Sequence, residues 1–158
     1  MKKTILLLVL VLITLPAMPQ GKKYKKSMLK AIEMKNKASD QAVALESVAV
    51  FENLATKYPE QWLPHYYAAE LLITNSFEEG NLARNDELLN RALKNLDQAK
   101  GLAPEESEIE AMKGMYYIGM MASDPESRGP MYYQDALMSI EKSKAQNPGI
   151  QGLITWML

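Results

Sequence analysis

Apolar side chains recur every three or four positions from residue 22 to about residue 146, which is the spacing of amphipathic helices. The pattern predicts six helices, approximately over residues 22–37, 42–58, 62–74, 86–100, 105–121 and 131–146, with loops at 75–81 and 122–130. Pro59, Pro104 and Pro148 follow the ends of helices, where a helix cannot continue. Ser39 and Asp40 are placed to cap the second helix, and Pro64 lies in the first turn of the third. The fold class is therefore predicted to be all-α.

The N-terminal segment differs from these helices because it has no polar face. A dilysine start precedes an apolar run from Ile5 to Leu15, and the helix-breaking residues 16–20 follow. This order is typical of a secretory signal peptide, and the run is shorter than the about 20 residues that span a bilayer. A buried core helix is the less favoured alternative. We predict that residues 1–20 are a signal peptide and that the protein is exported to the periplasm or outer surface of a bacterial cell. The cleavage site stays open.

The second, fourth and sixth helices share one spacing of small and large residues. Each has a small residue, a large one four positions later, a small one three after that, and a proline five further on. The matching sets are Ala92, Leu96, Ala99 and Pro104; Ala136, Ile140, Ser143 and Pro148; and, more loosely, Ser47, Phe51, Leu54 and Pro59. On these residues the chain resembles the tetratricopeptide repeat, a helix–turn–helix unit of about 34 residues.

The third and fifth helices extend the resemblance. Ten positions after a proline comes a small residue, followed three later by a large one: Ala69 and Leu72, then Gly114 and Tyr117. The resemblance implies that residues 22–148 form stacked antiparallel helical hairpins, a short TPR-like α-solenoid. The prolines recur at spacings of 45 and 44 residues, longer than the repeat. We assign the surplus residues to enlarged loops within the hairpins.

In the tetratricopeptide family, the first helices of successive hairpins line a concave groove that holds extended peptides or partner helices. By helical phase, the resemblance places eight residues of the third and fifth helices on such a groove. They are Leu63, Tyr66, Glu70, Ile73, Glu108, Ala111, Met115 and Ile118. Methionine and tyrosine suit an adaptable recognition surface. These residues are the candidate contacts with a protein or peptide partner.

The charge pattern changes the choice of partner. The whole chain has a formal net charge of −1, and residues 21–158 carry 16 basic and 19 acidic groups, a net charge of −3. Nucleic acid is not expected as a partner, because binding to phosphate needs clustered positive charge. The first helix is nevertheless rich in lysine, at positions 22, 23, 25, 26, 30, 35 and 37. Membrane contact is expected through this helix only, and a solvated helix face is the simpler reading.

Few residues are available for catalysis. The chain has no cysteine and one histidine, His65, which we interpret as a packing residue. The acidic group Glu105, Glu106, Glu108 and Glu110 is interpreted as opposing the dipole at the start of the fifth helix rather than binding a cation. No phosphate-binding loop or nucleophile motif occurs. We therefore expect no enzymatic activity, no catalytic residue, no cofactor and no metal.

Residues 149–158 form an uncharged, apolar C-terminal tail. It could pack on the last hairpin or form an oligomer with a second copy, or it could be the start of a truncated next repeat, which we prefer. Together the patterns favour a non-enzymatic protein-interaction scaffold of the bacterial envelope. The alternative is a structural or accessory subunit of an envelope transport or surface-assembly system.

Overall fold

The computed structural model describes residues 18–38 and 40–150 of the protein. These residues form six α-helices and one short 3-10 turn. The helices are α1 (Met18–Asn36), α2 (Gln41–Lys57), α3 (Leu63–Ser76), α4 (Leu82–Leu102), α5 (Ser107–Ser123) and α6 (Pro125–Gln146), and the turn is Pro148–Ile150. No β-strand occurs within the described ranges, and the all-α prediction is confirmed.

The helices are stacked in chain order. Each helix packs against the next one, and α3 also packs against α5. A continuous core runs between them, and its largest fully buried side chains are Phe51, Leu72, Ile73, Leu89, Leu96 and Ile109. Ala69, Ala92 and Ala99 are fully buried among these large side chains, as the predicted spacing requires. Packed neighbouring helices of this kind are consistent with a stack of helical hairpins.

Two predicted helix starts are confirmed in detail. The Asp40 carboxylate accepts a hydrogen bond of 3.0 Å from the backbone N–H of Val43, which caps α2. Pro64 lies in the first turn of α3, where its missing N–H has no partner to lose. A capping side chain therefore marks the beginning of α2, and a first-turn proline marks the beginning of α3, which has no side-chain cap.

The prediction of enlarged loops is wrong. Helix α4 begins at Leu82, capped by Asn81, rather than near Asp86. Helix α6 begins at Pro125, so that Asp124 alone connects it to α5. The surplus residues lengthen the second helix of each hairpin, to 21 residues in α4 and 22 in α6.

Tertiary contacts explain why residues 125–130 are helical despite two prolines and a glycine. Pro125 opens the helix, and the Asp124 carboxylate accepts a hydrogen bond from the Ser127 N–H at 3.3 Å. Pro130 lies inside the helix and removes one backbone hydrogen bond. Arg128 donates two hydrogen bonds to the Asp86 carboxylate of α4, at 2.5 and 2.8 Å. The first turns of α6 are thereby anchored on α4.

Two predicted segments fall largely outside the described residues. Residues 1–17 of the predicted signal peptide and residues 151–158 of the apolar tail are not described, and the tail begins in the 3-10 turn. Within residues 18–38 and 40–150, no helix is both long and apolar enough to cross a membrane.

Candidate functional site

The four candidate groove residues of α3 do not all lie at the surface. Leu63, Tyr66 and Glu70 are partly exposed. Ile73 is only 1% exposed and belongs to the main core cluster. The prediction is corrected at Ile73, because this side chain faces the core, whereas the adjacent Thr74 is exposed.

Helix α5 shows the same division. Glu108, Met115 and Ile118 are partly exposed, whereas Ala111 is 7% exposed. Ala111 packs against Ile140 of α6, so it serves the α5–α6 interface and not a groove. The prediction is corrected here too: helical phase aligns these positions, but the last helix covers one of them.

Tyr66 lies where α3 and α5 approach each other. Burial raises the pKa of Tyr66 well above its usual value, and the carboxylates of Glu70 and Glu108 and the phenol of Tyr67 raise it further. Its ring makes an edge contact with Trp62 at a centroid distance of 5.7 Å. Tyr66 is therefore a neutral phenol that lies against the Trp62 ring and close to a carboxylate from each of the two helices.

The two groove carboxylates differ in their partners. The Lys35 Nζ of α1 lies 2.8 Å from each carboxylate oxygen of Glu70, and it also lies 5.1 Å from the centre of the Tyr67 ring. Glu108 accepts a hydrogen bond of 3.1 Å from Ser107, and in the described part of the chain no cation pairs with it. Glu108 therefore contributes uncompensated negative charge at the start of α5. The name α3–α5 groove is used below for the partly exposed residues of the predicted groove: Leu63, Tyr66, Glu70, Glu108, Met115 and Ile118.

A concave feature lies between α2, α3 and α4. This polar cleft has a volume of about 540 Å³. Its polar lining includes Glu52, His65, Arg91, Lys94, Asn95 and Gln98. The three helices bring together side chains that are 30 to 43 positions apart in the chain.

A hydrogen-bond network orders the cleft. Arg91 donates from Nε and a terminal nitrogen to the two oxygens of Glu52, at 2.9 and 2.5 Å. The Asn95 amide nitrogen donates to Glu52 at 3.3 Å and to the Arg91 carbonyl at 3.1 Å. Its oxygen is therefore the acceptor for His65 Nδ1, 3.0 Å away, and His65 carries its proton there. The packing interpretation of His65 is thus incomplete, since the imidazole is also hydrogen-bonded.

The charge of Glu52 is stabilised within this network. Burial alone would raise the pKa of Glu52, but the hydrogen bond and charge of Arg91 outweigh it, with smaller contributions from Asn95 and His65. The net effect lowers the pKa, so that Glu52 is ionised at neutral pH. Sequence reasoning missed this cleft, because no local motif links positions on three separate helices.

Helices α4, α5 and α6 meet at a buried carboxylate. Glu110 is 4% exposed, and its Oε1 lies 2.6 Å from Lys100 Nζ and 2.8 Å from Lys142 Nζ. Glu108 and Glu110 lie in the first turn of α5, as the interpretation of the acidic group requires. Glu110 additionally forms ion pairs with two neighbouring helices, which the sequence did not indicate.

Metal ligation has no candidate among the residues described. No group of three or more histidine, aspartate or glutamate side chains there is arranged to hold a metal ion.

The structure is an all-α stack of helices with a polar cleft between α2, α3 and α4. Comparison of the chain with protein-family models, with curated proteins and with solved structures finds no match.

Proposed function

We propose that the protein is a TPR-like, non-enzymatic interaction scaffold that binds a peptide or protein segment in the α3–α5 groove. The observation that carries the proposal is the contact between α3 and α5, with Tyr66 influenced by the charge of Glu108 across that contact. Stacked repeats use surfaces formed by equivalent helices for binding. The degenerate tetratricopeptide spacing of the chain favours the same function.

The side chains of the groove fit peptide recognition. Tyr66 provides a neutral hydroxyl on a ring already held by Trp62, so little side-chain entropy is lost on binding. Met115 and Ile118 provide partly exposed apolar surface that adapts to different side chains. The unpaired carboxylate of Glu108 suits a cationic group of the bound segment.

Peptide display on the immobilised protein, followed by fluorescence anisotropy with the selected peptides, tests this proposal. We expect Met115→Ala and Glu108→Gln each to weaken binding by about 5- to 30-fold, since a peripheral groove contact contributes about 1–2 kcal/mol. Leu102→Ala is the matched control, because Leu102 is exposed at the end of α4, outside the groove. Circular dichroism verifies that each variant keeps the helical fold.

Two results would count against the groove. Selected peptides that bind both groove variants as tightly as the unmodified protein would show that binding occurs elsewhere. Failure to select any peptide from a diverse library would remove the support for an extended ligand.

We also propose that residues 1–20 direct export to the bacterial envelope. The support is the basic start and apolar run of the sequence. An alkaline phosphatase fusion after residue 38 should be active in bacterial cells and lose activity when residues 2–17 are deleted. Activity that survives the deletion would refute the signal assignment.

The accessory-subunit alternative has one observation in its favour. Helix α6 exposes Met131, Tyr133 and Met138 at 65%, 54% and 60% of their surface. Met131 and Met138, seven positions apart, lie on one face of α6, and exposed apolar side chains on one face are typical of surfaces that pack against another protein. Sedimentation equilibrium distinguishes the readings: self-association that disappears in Met138→Glu supports assembly through α6, and a monomer at all concentrations argues against self-assembly there.

A further inference from the structure

We propose that the polar cleft between α2, α3 and α4 is a second binding site, selective for a carboxylate group and strengthened by protonation of His65. The inference does not depend on the proposed peptide groove. It is carried by a cavity, an uncompensated cation and an ordered imidazole, all contributed by the same three helices.

The positive charge of the cleft is not balanced. The charge of Arg91 is offset by Glu52, which holds it through two hydrogen bonds. Lys94 also lines the cleft, and in residues 18–38 and 40–150 it has no acidic partner. Among the lining residues the formal charges therefore sum to one excess positive charge while His65 is neutral, and Glu87 of α4, outside the lining, also acts on Arg91. An anion entering it gains attraction without displacing an existing ion pair.

The network leaves defined hydrogen-bonding groups for the ligand. Asn95 occupies Nδ1 of His65, so that Nε2 is the ring nitrogen available to the cleft. Arg91 uses Nε and one terminal nitrogen for Glu52 and keeps further N–H groups. Lys94 and the amide of Gln98 add donors on the wall formed by α4. Donors thus surround a space of about 540 Å³, which is large enough for a carboxylate and the carbons that bear it.

Charge matching selects the class of anion. While His65 is neutral, the one excess positive charge balances a monoanion, and the Glu52 carboxylate in the same lining repels an anion of higher charge. Protonation of His65 adds a second positive charge and turns Nε2 from an acceptor into a donor. The charged groups facing His65 are Glu52 from α2, and Arg91 and Lys94 from α4. Since the Glu52–Arg91 pair is neutral overall, the state of His65 controls the net charge offered to the ligand.

His65 is the only histidine of the chain, so its imidazole gives a single set of NMR signals. The test is a pH titration of these signals in sodium acetate and in sodium chloride of equal ionic strength. If acetate binds the protein with protonated His65 about tenfold more tightly than the protein with neutral His65, saturating acetate should raise the midpoint of the His65 titration by about one pH unit. Identical midpoints in the two salts would overturn the proposal.

Variants localise the effect. Lys94→Gln should abolish most of the difference between acetate and chloride, whereas Lys26→Gln, an exposed lysine of α1, should leave it unchanged. A difference that persists in Lys94→Gln would overturn the assignment to this cleft. Because Lys94 is exposed, folding does not depend on it, and circular dichroism verifies this.

Two further titrations distinguish an acidic side chain from a free C-terminus as the carboxylate that binds in the cleft. One uses a short peptide that contains glutamate and has blocked ends, and the other uses a peptide whose only carboxylate is its free C-terminus. A shift with the first alone assigns the site to acidic side chains, and a shift with the second alone assigns it to chain ends. If neither peptide nor acetate shifts the midpoint, the cleft does not bind carboxylates.

Discussion

Replacing Glu110 by glutamine tests how much of the stacking depends on one buried carboxylate. The Glu110 side chain lies between α4 and α6 and contacts Lys100 at 2.6 Å and Lys142 at 2.8 Å. Glutamine has nearly the same size and keeps one acceptor oxygen. The change therefore removes the negative charge while it leaves the packing of α5 in place.

The expected cost follows from the surroundings of the carboxylate. Hydrogen bonds between charged groups contribute about 1.5–3 kcal/mol each when one partner is buried. The Lys142 side chain is 56% exposed and recovers hydration when its partner is neutral, whereas Lys100 is 23% exposed and recovers less. We therefore expect Glu110→Gln to lower the free energy of unfolding by about 2 kcal/mol at neutral pH. The melting temperature should fall by about 6 °C.

The effect should depend on pH with a definite sign. Burial alone raises the pKa of Glu110, but the hydrogen bonds and charges of Lys100 and Lys142 outweigh it and lower the pKa below its usual value. A lowered pKa in the folded state stabilises the protein fully above the unfolded-state pKa of about 4.3. The contribution is lost as the pH falls from there through the folded-state pKa. The difference between the protein and Glu110→Gln should be constant near neutral pH and shrink in acid.

Urea denaturation followed by circular dichroism, from neutral pH to about pH 3, measures this difference. Glu46→Gln is the matched control, since Glu46 is an exposed carboxylate of α2, and it should change stability by less than about 0.5 kcal/mol. A double-mutant cycle with Lys100→Gln should give a coupling of about 1–2 kcal/mol. A loss that stays equally large in acid, or one no greater than in the control, would refute the role assigned to the carboxylate.

Four other substitutions test the helix contacts and a helix cap by the same denaturation assay. A Cβ at Gly114 would lie 2.9 Å from Cγ1 of Ile140, so Gly114→Ala should destabilise the protein by about 1–2 kcal/mol. At Gly129 nothing lies within 4 Å of an added Cβ, so Gly129→Ala should stabilise the protein by about 0.5–1 kcal/mol. Equal effects of the two substitutions would contradict the close approach of α5 and α6. Asn81→Ala removes the acceptor of an N–H in the first turn of α4 and should cost about 1 kcal/mol, with an unchanged stability contradicting the cap. Arg128→Gln should lower the free energy of unfolding by about 0.5–1 kcal/mol at neutral pH. This loss should become smaller in acid, because the hydrogen bonds from Arg128 lower the pKa of Asp86. A loss independent of pH would show that another contact holds α6.

Local physics explains which parts of the fold could be predicted. The period of the apolar residues indicates helices, since one face of each must be covered. The acceptor at Asp40 and the fixed backbone of Pro64 mark the starts of α2 and α3 within a few residues. The small residue at Gly114 indicates a close helix contact, which the structure places at Ile140 of α6. All of these signals act between residues that are near in the chain or repeat at a fixed spacing.

The boundary of α6 shows where local reasoning fails. Pro125, Gly129 and Pro130 together favour a loop, yet the segment is helical. Arg128 reaches Asp86, 42 positions earlier in the chain, and α6 also packs along α5, so that contacts distant in the sequence hold this segment as a helix. Propensity is a weak prior that tertiary contacts can override.

The amino-acid sequence by itself determined the helical class, the positions of several caps and the small residues at which helices approach. Only the tertiary structure decided that Ile73 and Ala111 are core residues, that Glu110 joins three helices, and that His65 shares a cleft with Glu52. The physical reason is that helical periodicity gives the direction of a side chain around its own axis. The neighbour it meets depends on how the helices rotate and stack, which is set by packing of the whole core.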